Sequence, residues 1–207
     1  MKKLALALNI PRTIFVRCLI MLSDNEGLIL EEASYWYRIC HPNSRIPKSV
    51  IVQLNWVLLS ERPYHNLLSY RLKKFQNNRL VGNSISSVLC RLIFPNEKTL
   101  VLAANEVGKN LFIQHGFSCC ITADKIGENC WINQQVTIGY AFAPNPPVIG
   151  NGVRVSAGAK VIGDVKIGDN AIIGANAVVV KNVAENLIVG GVPAKELGIN
   201  TNHKLYK

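Results

Sequence analysis

The 207-residue sequence contains no apolar run long enough to span a bilayer, so nothing in it predicts a transmembrane helix. The N-terminal segment MKKLALALNIPR does not predict a signal peptide, because Asn9 and Pro11 interrupt its short apolar stretch. Six cysteines lack the density of a disulfide scaffold and the spacing of a metal site: Cys18, Cys40, Cys90, Cys119, Cys120 and Cys130. We therefore expect reduced thiols, no bound metal and a cytoplasmic location.

Acidic residues are also scarce, and the excess of basic residues is uneven. Residues 1–95 contain 13 Lys and Arg against five Asp and Glu, which is +8 of the total net charge of +10. No basic run, aromatic platform or recognised motif predicts nucleic-acid binding. The charge favours a solvated basic face on a helical domain, and contact with a membrane surface stays open.

The first 95 residues predict a mainly α-helical domain. Helix-compatible apolar spacing occurs in five segments: Ile14–Leu22, Leu28–Cys40, Ser49–Leu59, Asn66–Phe75 and Ser84–Phe94. The Pro- and Asn-containing segment 41–47 separates two of them, and Pro95-Asn96 ends the helical pattern. We expect a helical domain over 1–95, a repeat domain over 96–192 and a tail over 193–207.

The second half contains a six-residue repeat, which fits neither a helix nor an alternating strand and is typical of a solenoid. A branched aliphatic residue opens each unit: Ile126, Ile132, Ile138, Ile149, Val155, Val161, Ile167, Ile173 and Val179. A small apolar residue recurs four places later, for example Val153 and Ala171. Residues 139–148 add five residues to one unit, which predicts an external loop.

The repeat extends upstream of Ile126, but its register slips there. Ile113 and Ile121 are eight residues apart, and Ile121 and Ile126 are five apart. The slip lies beside the His115-Gly116 pair, and functional residues often occur where a regular pattern breaks.

The ordered motifs resemble the serine acetyltransferase-like branch of the hexapeptide-repeat acyltransferases, which includes sugar O-acetyltransferases of polysaccharide pathways. They are IQHGFSCCITADKIGENCWINQQVTIGY, VSAGAKVIG, IGANAVVVKNV and GGVPAK, and ERPYHNLLSYRL resembles the region that precedes the repeat in that branch. The resemblance covers about residues 97–197. It implies an α+β protein, in which an α-helical N-terminal domain precedes a left-handed parallel β-helix with one external loop.

The resemblance also implies eighteen-residue coils, a homotrimer with the option of a dimer of trimers, and acetyl-CoA in a groove between subunits. His115 would be the catalytic base, since an imidazole titrates near neutrality. The residues implied to bind acetyl-CoA are Gly139, Ala157, Gly158, Ala175, Gly191 (in the turn Gly191-Val192-Pro193-Ala194), and Lys181 or Lys195 for its phosphates. His41, His65 and His203 have no such context, and we expect structural or exposed roles for them.

Three positions depart from the serine acetyltransferase pattern. Leu100 replaces the aspartate that orients the catalytic histidine, Gln114 replaces an aspartate implicated in serine binding, and Asn145-Pro146 replaces an Arg-His pair. Glu106 or Asp124 could supply the missing carboxylate. Because charged partners normally hold an amino acid, their loss favours a neutral acceptor, and we expect a saccharide hydroxyl of a surface polysaccharide pathway.

Alternative interpretations remain open at this point. The chain could be a serine O-acetyltransferase of cysteine biosynthesis with L-serine as its acceptor, or a non-catalytic β-helix assembly module. A covalent route through Cys119 or Cys120 is less favoured, because their apolar neighbours predict buried, inert thiols. A hexapeptide carbonic anhydrase needs three histidines, and the repeat region contains one.

Overall fold

The computed structural model describes residues 2–73, 80–142 and 145–201. Phe75 and His203, which the sequence analysis included, lie outside this range. The chain divides into two compact units, Met1–Glu97 and Lys98–Lys207. No helix among the described residues is long and apolar enough to cross a membrane. Each unit is described by itself.

The first unit is helical, as the apolar spacing predicts. Its helices are α1 (Lys2–Met21), α2 (Glu26–Cys40), α3 (Val50–Ser60), α4 (Arg62–Lys73) and α5 (Leu80–Ile93). The segment 41–49 between α2 and α3 contains no helix or strand, in agreement with its Pro and Asn content.

Helix α1 begins at Lys2, twelve residues before the predicted start at Ile14, and it continues through Pro11. Asn9 explains why the helix does not end at the proline. Its Nδ2 donates to Oδ1 of Asn55 on α3 at 3.0 Å, and Thr13 Oγ1 donates to the same oxygen at 2.8 Å. These buried bonds attach the first turns of α1 to α3, and packing therefore outweighs the cost of an interior proline.

The core of the helical unit combines aromatic packing with a buried ion pair. Trp36 and Tyr64 pack edge to face with ring centroids 5.3 Å apart. Arg71 binds Glu32 through two nitrogens, at 2.7 and 3.0 Å. Both ring nitrogens of His65 lie 2.8 Å from backbone carbonyl oxygens, which gives this histidine the structural role that the sequence suggested.

The second unit is a parallel β-helix of short strands in three sheets. The first sheet contains β1 (Leu100–Leu102), β4 (Cys119–Ile121), β7 (Thr137–Gly139), β10 (Lys160–Ile162) and β13 (Val178–Val179). The second contains β2 (Glu106–Val107), β5 (Lys125–Ile126), β8 (Val148–Ile149) and β11 (Lys166–Ile167). The third contains β3 (Phe112–Ile113), β6 (Trp131–Ile132), β9 (Arg154–Val155), β12 (Ile172–Ile173), β14 (Leu187–Gly190) and β15 (Lys195–Ile199). This arrangement confirms the predicted fold class.

The six-residue repeat produces this fold because each unit supplies one short strand and one turn. All nine aliphatic residues that open the units from Ile126 to Val179 are at most 2% exposed. The small apolar residues four places later, from Cys130 to Ala177, are also buried. The two positions together fill the interior of the coil, and their burial stabilises it by about 25 cal/mol per Å² of apolar surface.

Strand register shows where the coils change length. Arg154 pairs with Ile172, eighteen residues later, whereas Thr137 pairs with Lys160, 23 residues later. The five additional residues form the external loop between Gly139 and Val148, as predicted. The predicted slip is also present, because Leu102 pairs with Ile121 at a spacing of 19 and Ile121 with Ile138 at a spacing of 17.

The segment assigned from sequence to a C-terminal tail contains a strand. β15 runs antiparallel to β14, with Lys195 opposite Gly190 and Ile199 opposite Leu187. The reversal after the cis peptide Val192-Pro193 gives the last coil an additional strand.

Candidate active site

Five of the predicted site residues lie in one row of turns. We call this row the His115 edge; it connects the third sheet to the first and comprises residues 114–118, 133–136, 156–159 and 174–177. Gln114, His115, Ala157, Gly158 and Ala175 lie in it, each on the same side of the coil. Gly191 adjoins it, since its carbonyl accepts a hydrogen bond from Val178 N–H at 3.0 Å.

His115 occupies a turn that is one residue longer than its neighbours. Residues 114–118 separate β3 from β4, whereas four residues separate the corresponding strands in the next coils. His115 has φ +63°, Gly116 +62° and Ser118 +53°, and positive φ is uncommon for residues other than glycine. Ser118 N–H donates to Thr99 Oγ1 at 3.0 Å, which helps to hold this turn. The result is an exposed imidazole on a defined backbone.

Within one chain, neither Glu106 nor Asp124 lies at this turn. Leu100 is buried in β1, so its side chain contributes to the interior of the coil. Glu106 lies on β2 of the second sheet, where it binds Lys125 Nζ at 3.0 Å. Asp124 precedes β5 and accepts a bond from Asn105 Nδ2 at 3.0 Å. Within one chain, Glu106 and Asp124 are therefore separated from His115, because both belong to the opposite end of the first-sheet strands.

Gln114 has a fixed orientation beside His115. Its Oε1 accepts hydrogen bonds from Trp131 Nε1 and Asn133 Nδ2, each at 3.1 Å. An indole N–H can only donate, so the atom that faces Trp131 must be the amide oxygen. The Nε2 group of Gln114 is consequently directed away from Trp131, and this position offers N–H donors where an aspartate would offer an acceptor.

The third and fourth turns of the His115 edge contain the small residues Ala157, Gly158 and Ala175. Asn176 N–H donates to Ala157 O at 2.9 Å, and Gly158 N–H donates to Gln134 O at 3.0 Å. Gly158 has φ +74°, and a Cβ added to it would lie 2.1 Å from Asn176 Oδ1. Ala157 is half-buried and Ala175 is exposed, so small side chains form the surface here and leave the backbone accessible.

Three predicted residues lie at the opposite end of the first-sheet strands, which we call the loop edge. Gly139 ends β7, and its carbonyl accepts from Gly163 N–H at 2.9 Å. Asn145 Nδ2 donates to Asp164 Oδ2 at 3.0 Å in the external loop, and Lys181 is exposed in the turn after β13. The predicted site residues of one chain therefore do not all lie at one edge. Lys195 begins β15 and has an exposed side chain.

Three residues at or next to the His115 edge, Gln134, Gln135 and Lys160, were not predicted from the sequence. Lys160 Nζ donates to Gln135 O at 2.7 Å, so its ammonium group lies against the Gln135 turn. Gln134 Oε1 is buried without a hydrogen-bond partner among the described residues, one coil from the His115 turn. The signal was available, because both glutamines lie in the quoted INQQVTIGY motif and Lys160 in VSAGAKVIG.

The two adjacent cysteines differ in exposure. Cys119 is buried, burial raises the pKa of its thiol, and its Sγ donates to Asn133 O at 3.2 Å. Cys120 is exposed, so the expectation that both thiols are buried is wrong for it. Neighbouring residues of a strand point to opposite faces, which explains the difference.

Comparisons with known proteins agree with this architecture. Residues 146–181 match the family model described as bacterial transferase hexapeptide (six repeats). The coil defines a β-helix protein, and the matched residues lie within it, from β8 to β13.

Within that class, the chain is similar to serine acetyltransferases. It is 34% identical to the serine acetyltransferase of Staphylococcus epidermidis over 134 residues, 63% of this chain and 61% of that protein. A solved serine acetyltransferase in complex with CoA is 25% identical, with TM-score 0.59 over 84% of this chain and 71% of that one. The enzyme of Vibrio cholerae O1 is also 25% identical, with TM-score 0.60 over 84% and 69%.

These similarities confirm the resemblance to the serine acetyltransferase-like branch. The chain spans about three fifths of the length of the first curated relatives that it matches.

Proposed function

We propose that the protein is an acetyl-CoA-dependent O-acetyltransferase in which His115 is the general base. The observation that carries the proposal is the position of His115, exposed on a defined turn at the same edge of the coil as Ala157, Gly158 and Ala175. The similarity to serine acetyltransferases, one of them in complex with CoA, supports the same activity.

The reaction assigns one proton transfer to His115. An unprotonated ring nitrogen accepts the proton of the acceptor hydroxyl while the hydroxyl oxygen attacks the thioester carbonyl carbon of acetyl-CoA. The carbon–sulfur bond then breaks, the acetyl group remains on the oxygen, and the imidazolium returns its proton to the CoA thiolate. General base catalysis of this kind contributes about 10²- to 10⁴-fold to the rate.

Acetyl-CoA would lie along the His115 edge. Ala157, Gly158, Ala175 and Gly191 provide room for pantetheine, and Lys195 provides positive charge for phosphate. Gly139, Asn145 and Lys181 would complete the groove from a neighbouring subunit of a homotrimer, since they lie at the loop edge. Light scattering tests this assembly, because a particle of 22.8 kDa, the mass of one chain, would contradict it.

L-Serine is the acceptor that the comparisons favour. The relatives and solved structures named above carry the name serine acetyltransferase, and none of these names mentions a saccharide acceptor. We therefore propose L-serine as the acceptor to test first.

A neutral hydroxyl compound is the second candidate, and Gln114 is the observation that favours it. Trp131 and Asn133 occupy its oxygen, so the residue before His115 presents N–H donors and no carboxylate for an ammonium group. A sugar hydroxyl can accept such a bond, whereas the amino group of serine cannot pair with it as an ion.

Thiol release from acetyl-CoA by the purified full chain tests the proposal. L-Serine and a panel of neutral sugars are compared, each with wild type and with His115→Asn. Serine-dependent release that the variant lacks would establish the first acceptor, and sugar-dependent release the second. No release above background with any acceptor would contradict acetyl transfer and favour a non-catalytic assembly module.

A reducing compartment such as the cytoplasm fits this proposal. All six cysteines lie within the described residues, and each is a free thiol. Disulfides are rare in cytosolic proteins because the thiol pools there keep cysteines reduced.

A further inference from the structure

Helix α1 carries an exposed apolar stripe on its outer side. Leu8, Pro11, Phe15 and Cys18 are separated by three and four residues, which places them along one side of the helix, and Leu22 follows directly after its last residue, Met21. All five are exposed, and Leu8, Phe15 and Leu22 reach 71%, 46% and 67%. Large apolar residues grouped in this way mark an interaction surface, unlike single exposed ones.

The apolar surface continues from the stripe towards α3. Ile14 and Ile10 lie on the adjoining side of α1 and are 47% and 43% exposed. Ile10 also lines a cavity of about 340 Å³ together with Ile51, Val52 and Trp56 of α3. Val52 is 46% exposed, so the opening of this cavity belongs to the same surface.

Charge determines which partner suits the stripe. α1 contains four basic residues, Lys2, Lys3, Arg12 and Arg17, and no acidic residue. Arg12 is exposed beside the stripe. Residues 1–95 have a net charge of +8, and two of their five acidic residues are neutralised in the ion pairs Arg17–Glu26 and Arg71–Glu32. A second copy would bring an equally basic surface to the interface, which like-charge repulsion disfavours.

We propose that the outer side of α1 binds the surface of an anionic phospholipid bilayer. Helices that combine an apolar side with lysine and arginine lie in the plane of the bilayer interface, with apolar side chains in the acyl boundary and basic groups near lipid phosphates. Leu8, Phe15 and Leu22 would enter that boundary, and Arg12 would contact the head groups. The inference does not depend on acetyl transfer.

Co-sedimentation with vesicles tests the proposal. One set of vesicles contains phosphatidylcholine alone, and the other contains phosphatidylcholine and phosphatidylglycerol in about equal amounts. We expect the full chain to bind the anionic vesicles selectively and to be released at about 1 M salt, where the Debye length is about 3 Å.

Two double variants test whether the stripe itself, and not surface hydrophobicity in general, binds the vesicles. The side chains replaced in the two variants have similar exposure. Leu8→Gln/Phe15→Gln alters the stripe, whereas Val88→Gln/Leu92→Gln alters side chains of α5 that are 46% and 74% exposed. We expect the first variant to bind anionic vesicles at least about tenfold more weakly than wild type, since it loses two apolar side chains from the contact. We expect the second to bind as wild type does, and equal thermal unfolding midpoints would show that both variants fold.

Three outcomes would overturn the proposal. The first is that the wild-type chain fails to bind anionic vesicles. The second is that both double variants bind equally well. The third is that the α1 variant lowers the particle mass in light scattering while its vesicle binding is unchanged. The third outcome would identify a second copy of the chain as the partner of the stripe.

Discussion

Trp131 Nε1 donates a hydrogen bond to Gln114 Oε1 at 3.1 Å and thereby orients the side chain that precedes His115. Trp131→Phe removes this donor while it keeps an aromatic ring against Phe112, whose ring centroid lies 4.7 Å away. We expect the KM of the acceptor to rise several-fold with a smaller change in kcat, because Gln114 loses one of two bonds worth about 1 kcal/mol each. Trp56→Phe in α3 is the control, and an equal KM effect there would contradict a positioning role for Trp131.

His115→Asn should abolish most activity and leave stability unchanged. Asparagine tolerates the φ of +63° at this position but cannot accept the hydroxyl proton as imidazole does. We expect kcat/KM to fall about 10²- to 10⁴-fold in the thiol-release assay. A variant that retains more than about half of the activity would remove His115 from the proposed reaction.

Gly158→Ala should destabilise the β-helix, whereas Gly139→Ala should not. Gly158 has φ +74° and would direct a Cβ at Asn176 Oδ1, while a Cβ on Gly139 meets no atom within 4 Å. Asn176 can rotate away, but the backbone strain remains, so we expect a loss of about 1–3 kcal/mol in the free energy of unfolding. Denaturant titration of both variants measures it, and equal midpoints would contradict the argument from backbone strain.

Glu32→Gln should destabilise the helical unit strongly. The side chains of Arg71 and Glu32 are 3% and 1% exposed, so the variant leaves a buried guanidinium without its counter-charge. We expect about 3–5 kcal/mol of lost unfolding free energy. Glu106→Gln breaks an ion pair with Lys125 that is about half exposed, and we expect less than about 1 kcal/mol there. Similar losses in both variants would contradict a special contribution from burial.

Thiol labelling of the native protein should distinguish exposed from buried cysteines. Burial raises the pKa of Cys90 and of Cys130 to about 12, so both remain protonated and unreactive at pH 8. Cys18 and Cys120 are exposed and should react with iodoacetamide first, as mass spectrometry of the digested protein would show. Labelling of Cys130 without denaturant would contradict its burial.

Cys120→Ser tests the covalent route separately. We expect this variant to retain activity, because direct attack by the acceptor needs no enzyme thiol. Loss of activity with an unchanged unfolding midpoint would revive the acetyl-cysteine intermediate.

The six-residue period was sufficient to predict the β-helix because its side-chain pattern is local. Each aliphatic opener, such as Ile138 or Ile173, faces the interior of its own coil, and no distant contact is required to place it. The external loop and the register slip near His115 were predictable for the same reason, since both are counts along the chain.

The start of α1 was not predictable in this way. Pro11 disfavours a helix locally, and only the bond between Asn9 and Asn55, 46 residues apart, shows what holds the helix together. Exposure of Cys120 and the distribution of site residues over two edges also depend on which strand pairs with which.

The sequence by itself determined the solenoid, its single insertion and the histidine at its irregular turn, because all three follow from a short period. Only the tertiary structure decided that Trp131 fixes the amide of Gln114, that Leu100 is buried in the coil, and that Lys181 lies at a different edge from Ala175. These relationships join residues from different coils, and their geometry arises when the coils stack.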